Sequence, residues 1–297
     1  MISLVENESP LLREVGALLV PFTGRAQVVG LTGAPGVGKS TSTSALVRAL
    51  RAKEQRVGVL AVDPSSPFSG GALLGDRVRM QDHATDDGVF IRSMASRGHL
   101  GGLSAAVPQA LRVLDAAGCD IVLIETVGVG QAEVDIASLA DTTVLLLAPG
   151  MGDGIQAAKA GILEVADVFV VNKADREGAD QVVRDLRYMQ SLGGRHSIPG
   201  GWRAPIVTLI ASQGVGIDEM LAALDKHRNW MVAQGELERR REARAAAEIE
   251  AIAVAEIRGR FLQVHGSAAL ASAAKRLVAG EVDPYTAADD LVSSLTG

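Results

Sequence analysis

Residues 28–40 read VVGLTGAPGVGKS: an unbroken apolar run, a glycine-rich turn, then helix-forming sequence. Within it, Gly33-Ala34-Pro35-Gly36-Val37-Gly38-Lys39-Ser40 matches the spacing G-x-x-x-x-G-K-[ST]. This pattern constrains the fold because it needs a strand before it and a helix after it. The glycines let the backbone turn so that successive N–H groups converge on one concavity, and the helix N-terminus points at the same place. Such a concavity takes phosphate oxygens. Lys39 would carry a point charge to the β- and γ-phosphates, and the Ser40 hydroxyl would be a ligand for Mg2+. The expected phosphate-binding set runs from Gly33 to Thr41. The alternative is a plain glycine-rich turn, but lysine is scarce in this chain (positions 39, 53, 159, 173, 226 and 275), so its placement here is informative. Ala34 and Pro35 stand where partition-type ATPases carry an additional lysine, which argues against that subgroup.

Further apolar runs follow at 57–62 (VGVLAV), 120–125 (DIVLIE), 142–148 (TTVLLLA), 168–172 (VFVVN) and 205–210 (PIVTLI). They are nearly continuous rather than alternating, as in strands covered on both faces of a parallel sheet. Segments such as 40–55 and 176–190 are long enough for crossover helices. The expected fold class is α/β, a P-loop NTPase with a mostly parallel, doubly wound sheet. At 47% hydrophobic the chain can bury a sizeable core. No apolar run reaches the roughly 18 residues of a membrane span, and the N-terminus lacks the pattern of a leader or transit peptide. A cytoplasmic protein with no membrane partner is expected. The net charge of −6 argues against bulk-charge nucleic-acid binding, and 3% aromatic residues leave little for base stacking. The single Cys119 rules out an internal disulfide and a cysteine metal cage; it reads as a small buried hydrophobe.

A second motif, Asn172-Lys173-Ala174-Asp175, follows the run VFVV. A carboxylate at Asp175 can accept hydrogen bonds from guanine N1–H and the exocyclic amine, a donor pair that adenine lacks. A site built on such a pair rejects the mismatched base strongly. With the phosphate loop upstream, GTP and GDP are the expected ligands, and Asn172, Lys173 and Asp175 the base-reading residues. A third guanine element, Ser-Ala-x-x-Gly-x-Gly-Ile, corresponds to residues 210–217 from its alanine onward, with Ile210 in place of the serine. There Ile210, Ala211 and Ser212 would border the base, and the Ala211 N–H would meet the guanine carbonyl.

Glu125-Thr126-Val127-Gly128 occupies the position of a D-x-x-G switch. Glu125 would orient Mg2+ through water, and the Gly128 N–H would meet the γ-phosphate; the alternative for Glu125 is a helix N-terminal charge. Val129, not glutamine, follows Gly128, so the water-positioning glutamine of Ras-like switches is missing and intrinsic hydrolysis is expected to be slow. Between these motifs, AVDPSSPFSGGALLGDRVRM places Asp63 at a strand end and Asp76 in a glycine-containing loop. This segment reads either as a switch whose acids face Mg2+ or the attacking water, or as a surface loop with scattered acids.

Beyond residue 217 the strand pattern stops. IDEMLAALDKHRNWMVAQ reads as one helix that Gly235 could end. A long helix follows, with Val254, Ile257, Phe261 and Val264 on one face. The cluster Arg239, Arg240, Arg241 and Glu242 reads as a solvated face. A last helix starts at Asp283-Pro284, an N-cap followed by proline at the first helical position. The expected organisation is a short helical extension (1–26), a nucleotide domain (27–233) and a helical arm (234–297) whose apolar stripe needs a partner.

GAPGVGKST, VLAVDPSSPFSGGALLGDRVRM, ETVGVGQAEVDI, APGMGDGIQAAKAGILEVADVFVVNKAD and VDPYTAADDLV together resemble the methylmalonyl-CoA mutase-associated GTPases of the MeaB/ArgK type. The resemblance implies a signal-recognition-type GTPase fold with a C-terminal arm that forms a homodimer. It implies that Asp63 and Asp76 are first-switch residues near Mg2+, that Glu125 lies in a second switch, and that residues 149–161 form a third with Lys159 at its charged position. The implied catalytic residues are Lys39, Asp63, Asp76, Glu125, Gly128 and Lys159; the implied Mg2+ set is Ser40, Asp63, Asp76 and Glu125. The implied partner is an adenosylcobalamin-dependent acyl-CoA mutase, acting on methylmalonyl-, isobutyryl- or 2-hydroxyisobutyryl-CoA. The GTPase would gate its cofactor loading and protect or reactivate it. The extension at 1–26 is shorter than the family implies. Two other readings are a metallochaperone GTPase and a kinase or ATPase linked to basic amino-acid transport. The first needs clustered metal ligands, yet His83, His99, His196, His227 and His265 are dispersed; the second needs a phosphoryl-acceptor pocket, and the sequence shows none.

Overall fold

The computed structural model describes residues 1–6, 9–64, 80–83, 85–96, 106–126, 132–150, 165–192, 200–264 and 268–296, and the statements below concern those. The chain divides into two compact units, Met1–Glu242 and Ala243–Gly297.

The first unit is built on β1 (Gln27–Thr32), β2 (Val57–Pro64), β3 (Val89–Ser96), β4 (Ile121–Thr126), β5 (Thr142–Leu147), β6 (Val168–Asn172) and β7 (Ile206–Leu209). They form one sheet in the order β3-β2-β4-β1-β5-β6-β7. Every adjacent pair is parallel. The doubly wound expectation therefore holds, with no antiparallel strand among the seven. Strands β1, β4, β5 and β6 are buried at every position, which is why their sequences run apolar without alternation. Strand β3 has no counterpart among the apolar runs read from the sequence. It is an edge strand with one neighbour; Arg92 and Ser93 interrupt it, and Phe90 is exposed.

Helices cover both faces: α1 (Ile2–Glu6), α2 (Leu12–Leu19), α3 (Lys39–Ala52), α4 (Ala106–Ala116), α5 (Ala132–Leu139), α6 (Ala179–Leu192) and α7 (Ile217–Ala233). Side chains of a strand alternate between faces. Val29 and Leu31 of β1 meet Leu46 and Leu50 of α3 and Met220 and Leu224 of α7. Val28 faces the other way, into a cluster with Leu111 and Leu114 of α4 and Ile136 of α5. A third cluster seats Val182 and Leu186 of α6 on Leu145, Phe169 and Val171. Cys119 is buried in the second cluster, and burial pushes its thiol pKa up, as suits a packed hydrophobe. The chain leaves β1 toward β2 on one side of the sheet, whereas β4 connects to β5 on the other. The crevice at the carboxyl end of β1 is thus the switch point where ligands of open α/β sheets bind.

The run at 239–242 is a solvated face only at Arg239 and Glu242; Arg240 and Arg241 turn inward, which corrects the sequence reading for those two. Helix α8 (Glu236–Val264) begins in the first unit, and its first turns drive two arginines inward. The Arg240 guanidinium grips Asp167 with two parallel bonds of 2.8 and 2.9 Å and also donates to the Asp141 carbonyl at 2.9 Å. Arg241 reaches Asp141 Oδ2 at 2.9 Å and the carbonyls of Gly24 and Ala26 at 2.7 and 2.9 Å. Asp141 and Asp167 are almost fully buried, each just before a core strand. They also accept from the Val28 and Thr143 N–H groups at 3.0 and 2.9 Å. His227 of α7 is fully buried beside them, with Nδ1 2.9 Å from Thr142 Oγ1 and Nε2 3.4 Å from Asp167 Oδ1. Burial, opposed by Asp167 and reinforced by Arg240, takes its pKa down to about 4.

The second unit comprises the rest of α8 with α9 (Ala268–Val278) and α10 (Pro284–Thr296). Asp283 caps α10 as expected, accepting from the N–H groups of Tyr285 and Thr286 at 2.9 and 3.1 Å. The Thr286 hydroxyl, which donates to the same carboxylate, together with those N–H groups holds its carboxyl below the usual range. Val254 and Ile257 are exposed on α8; the side chains of Phe261 and Val264 lie outside the described set.

Candidate functional site

The loop at 33–38 joins β1 to α3, so Lys39 and Ser40 open the helix with Gly38 as its N-cap. Two glycines are required by geometry. Gly33 has φ +145° and its α-carbon lies against the Leu146 carbonyl of β5; Gly38 has φ +94° and lies against Asn172 Nδ2 of β6. A side chain at either would collide with its neighbour and adopt an unfavourable backbone. Both contacts press the loop onto strands that begin more than a hundred residues later in the chain.

Lys39 is buried, and its Nζ donates to the carbonyls of Gly33 and Ala34 at 2.7 and 3.1 Å. The ammonium is thus held over the loop it would share with phosphate oxygens. The Ser40 hydroxyl donates to Glu125 Oε1 at 2.6 Å. Thr43, one turn along α3, donates to Glu125 Oε2 at 2.9 Å. Glu125 is only 3% exposed, so its carboxylate is a buried acid aimed at the helix start rather than a helix N-terminal charge. Thr43 was not anticipated. The signal was present in GKSTST, where residues 40 and 43 fall three apart and share a helix side. Pro35, Gly36 and Thr41 lie at the exposed rim and Val37 is buried beneath it.

Asn172 ties three segments together. Its Nδ2 donates to the Val37 carbonyl at 2.8 Å, and its Oδ1 accepts from the Ala211 N–H at 3.2 Å. Lys173 adds a bond from Nζ to the Gly36 carbonyl at 2.6 Å. Lys173 has φ +56°, a left-handed conformation rare for a side-chain-bearing residue and costing about 1–3 kcal/mol. Such strain collects at ligand-binding turns. Ala174 is fastened to β7 by its N–H to the Leu209 carbonyl, and Asp175 stands exposed at the loop tip. The 210–217 segment closes on itself through an Ile210–Val215 bridge, leaving Ser212 exposed beside buried Ala211.

The phosphate loop, Glu125, Asn172, Lys173 and Ala211 are therefore brought together at the carboxyl ends of β1, β4, β6 and β7. Asp63 is the last residue but one of β2, beside Ala95 of β3, with its side chain outside the described set. Asp76, Gly128 and Lys159 also lie outside the described residues. No three His, Cys, Asp or Glu side chains cluster as a metal cage among the described residues.

An all-parallel sheet carrying this loop at its switch point, with a guanine-type tetrapeptide packed against it, defines a P-loop GTPase. The chain belongs to the family of methylmalonyl-CoA mutase-associated GTPases, MeaB, whose profile matches residues 1–265. A protein of Pyrococcus abyssi designated a GTPase is 46% identical over 297 residues, 100% of this chain and 92% of that one. The GTPase ArgK of Escherichia coli K12 is 37% identical over 245 residues, 81% of this chain and 74% of its own. Among solved structures, that of an LAO/AO transport system kinase superposes with a TM-score of 0.68 at 25% identity, covering 100% of this chain and 91% of the other.

Proposed function

We propose that this GTPase is a chaperone of an adenosylcobalamin-dependent acyl-CoA mutase, gating cofactor loading and protecting or reactivating the mutase. The family's description as mutase-associated supports the partner. The observation that carries the nucleotide chemistry is the double use of Asn172, which joins the phosphate loop through Val37 to the 211 segment. One side chain thereby sets the distance between the grip on the phosphates and the reader of the base.

In this reading the backbone of 36–41 and Lys39 hold the triphosphate, Lys39 exchanging its carbonyl partners for phosphate oxygens. Asn172, Lys173 and Asp175 read guanine, with the Ala211 N–H beside them. The oxygen-only set of Ser40 and Glu125 suits Mg2+, a hard cation that dehydrates reluctantly. Glu125 takes an outer position behind Ser40, while Asp63 and Asp76 complete the set. Mg2+ there would neutralise charge developing between the β- and γ-phosphates. Catalysis is positioning and charge stabilisation. The mutase completes or stabilises the switches, where a Ras-type glutamine is lacking; the Gly128 N–H meets the γ-phosphate, and Lys159 couples mutase contact to hydrolysis. The arm at 234–297 pairs two copies, and the protein works in the cytoplasm.

Two measurements test this. Asp175→Asn should erase the preference for GDP over ADP in calorimetry while leaving the fold intact; an unchanged preference refutes the guanine reading. Addition of the cognate mutase should raise the rate of phosphate release. A rate unchanged by every candidate mutase, or phosphate transferred to protein instead of solvent, refutes the chaperone reading.

A further inference from the structure

The second turn of α3 carries a hydroxyl that the nucleotide chemistry above does not use. Thr43 is fully buried, and its contacts join two parts of the site. Its Oγ1 lies 2.9 Å from Glu125 Oε2 and 3.0 Å from the Lys39 carbonyl. The hydroxyl has one proton for these two acceptors. The Lys39 carbonyl stands in the helical ladder, where the backbone N–H four residues on serves it. A carboxylate is also the stronger acceptor, because it is charged. The proton therefore goes to Glu125.

Glu125 is then held at both oxygens of its carboxylate, Oε1 by Ser40 at 2.6 Å and Oε2 by Thr43. Ser40 and Thr43 stand three residues apart on one side of α3, a spacing that lets two hydroxyls reach one carboxylate. The sheet register places Glu125 between Leu31 of β1 and Ala61 of β2, and Ala61 offers only a methyl group on its side. A glutamate has one more rotatable bond than the aspartate of a D-x-x-G switch, and that freedom would let its carboxylate swing away from Ser40. The Thr43 bond removes the freedom. The consequence falls on Ser40: while Oε1 takes the serine's proton, the lone pairs of Ser40 Oγ are left for a cation.

We propose that Thr43 is a positioning residue of the GTPase: by fixing Glu125 it sets how tightly Ser40 takes the divalent cation that accompanies the nucleotide. The role rests on the Mg2+ reading of Ser40 and Glu125, and not on the mutase partner. Groups that orient a metal's ligands from behind change its affinity about 10–100-fold when they are removed.

The full chain is loaded with GDP and titrated with Mn2+, a paramagnetic substitute for Mg2+ whose free form is counted by electron paramagnetic resonance. Thr43→Val keeps the side-chain shape and removes the donor, so it should weaken Mn2+ about tenfold or more. Thr43→Ser returns a hydroxyl and should bind Mn2+ within about threefold of the parent. Thr43→Ala repeats the valine test without a branch that could crowd Glu125. In EDTA all three variants should hold GDP within about threefold of the parent, because Thr43 reaches the nucleotide only through the cation's ligands. A general loosening of α3 would instead weaken GDP with and without the cation alike. The role of Thr43 is overturned if T43V and T43A take Mn2+ as the parent does, if they weaken GDP as much in EDTA as in Mn2+, or if T43S is as impaired as T43V. A parent whose GDP complex takes no Mn2+ overturns the cation reading of Ser40 and Glu125 and the Thr43 role with it; a parent that takes Mn2+ beside unimpaired variants overturns the Thr43 role alone.

Discussion

Replacing Arg240 by methionine should destabilise the protein far more than removing Arg240 and Asp167 together. Asp167 has only 3% of its side chain exposed and takes two bonds from Arg240, at 2.8 and 2.9 Å. In R240M the carboxylate keeps the Thr143 N–H at 2.9 Å but loses its cation. Breaking a buried pair from one side costs about 3–5 kcal/mol, whereas replacing both members by uncharged groups is often close to neutral. Asp167→Asn with R240M keeps an acceptor for Thr143 and leaves no stranded charge, so the double variant should lose about 1 kcal/mol and the cycle should show at least about 2–4 kcal/mol of coupling. The deficit of R240M should also shrink on acidification. Arg240 pushes the His227 pKa down and Asp167 pushes it up, so without the arginine His227 protonates more readily and becomes the cation 3.4 Å from Asp167. The assay is urea denaturation from pH 5 to 8, followed by the fluorescence of Trp202 and Trp230. These are the chain's 2 tryptophans, and their rings lie 4.7 and 5.8 Å from that of His227. An R240M deficit below about 1 kcal/mol, or single losses that simply add, would refute the reasoning.

The parent protein should itself lose stability in acid. His227 carries a pKa of about 4 when folded against an ordinary 6.5, so the unfolded chain binds more protons between those values. Stability contributed by the neutral ring is present above pH 6.5 and lost as pH falls toward 4, by about 3 kcal/mol in all. His227→Gln should flatten that limb of the urea midpoint against pH; an unaltered limb places the acid sensitivity elsewhere. Asn172→Ala should orphan the Val37 carbonyl and the Ala211 N–H together, costing about 2–4 kcal/mol by the same denaturation assay. GDP affinity should fall at least tenfold by calorimetry, and a dissociation constant within about threefold of the parent contradicts the bridging role.

What the sequence determined by itself is whatever neighbouring residues encode. The loop at 33–40 and the tetrapeptide at 172–175 are contiguous, so their spacing is their chemistry. Six of the seven strands announce themselves as apolar runs, and β1, β4, β5 and β6 among them are buried at every position; β3, an edge strand interrupted by Arg92 and Ser93, carries no such mark. The Asp283 cap was readable because an N-cap acts on residues two and three places ahead. Only the tertiary structure decided which distant groups share a site. Asn172 meets a carbonyl 135 residues earlier in the chain, and Arg241 meets a carboxylate 100 residues earlier. Nothing local separates arginines 240 and 241 from the exposed Arg239 beside them; the helix turns two of the three inward, where two buried aspartates wait at strand starts. Long-range polar pairing is set by how elements pack, and a linear string records the elements but not the angle at which they meet.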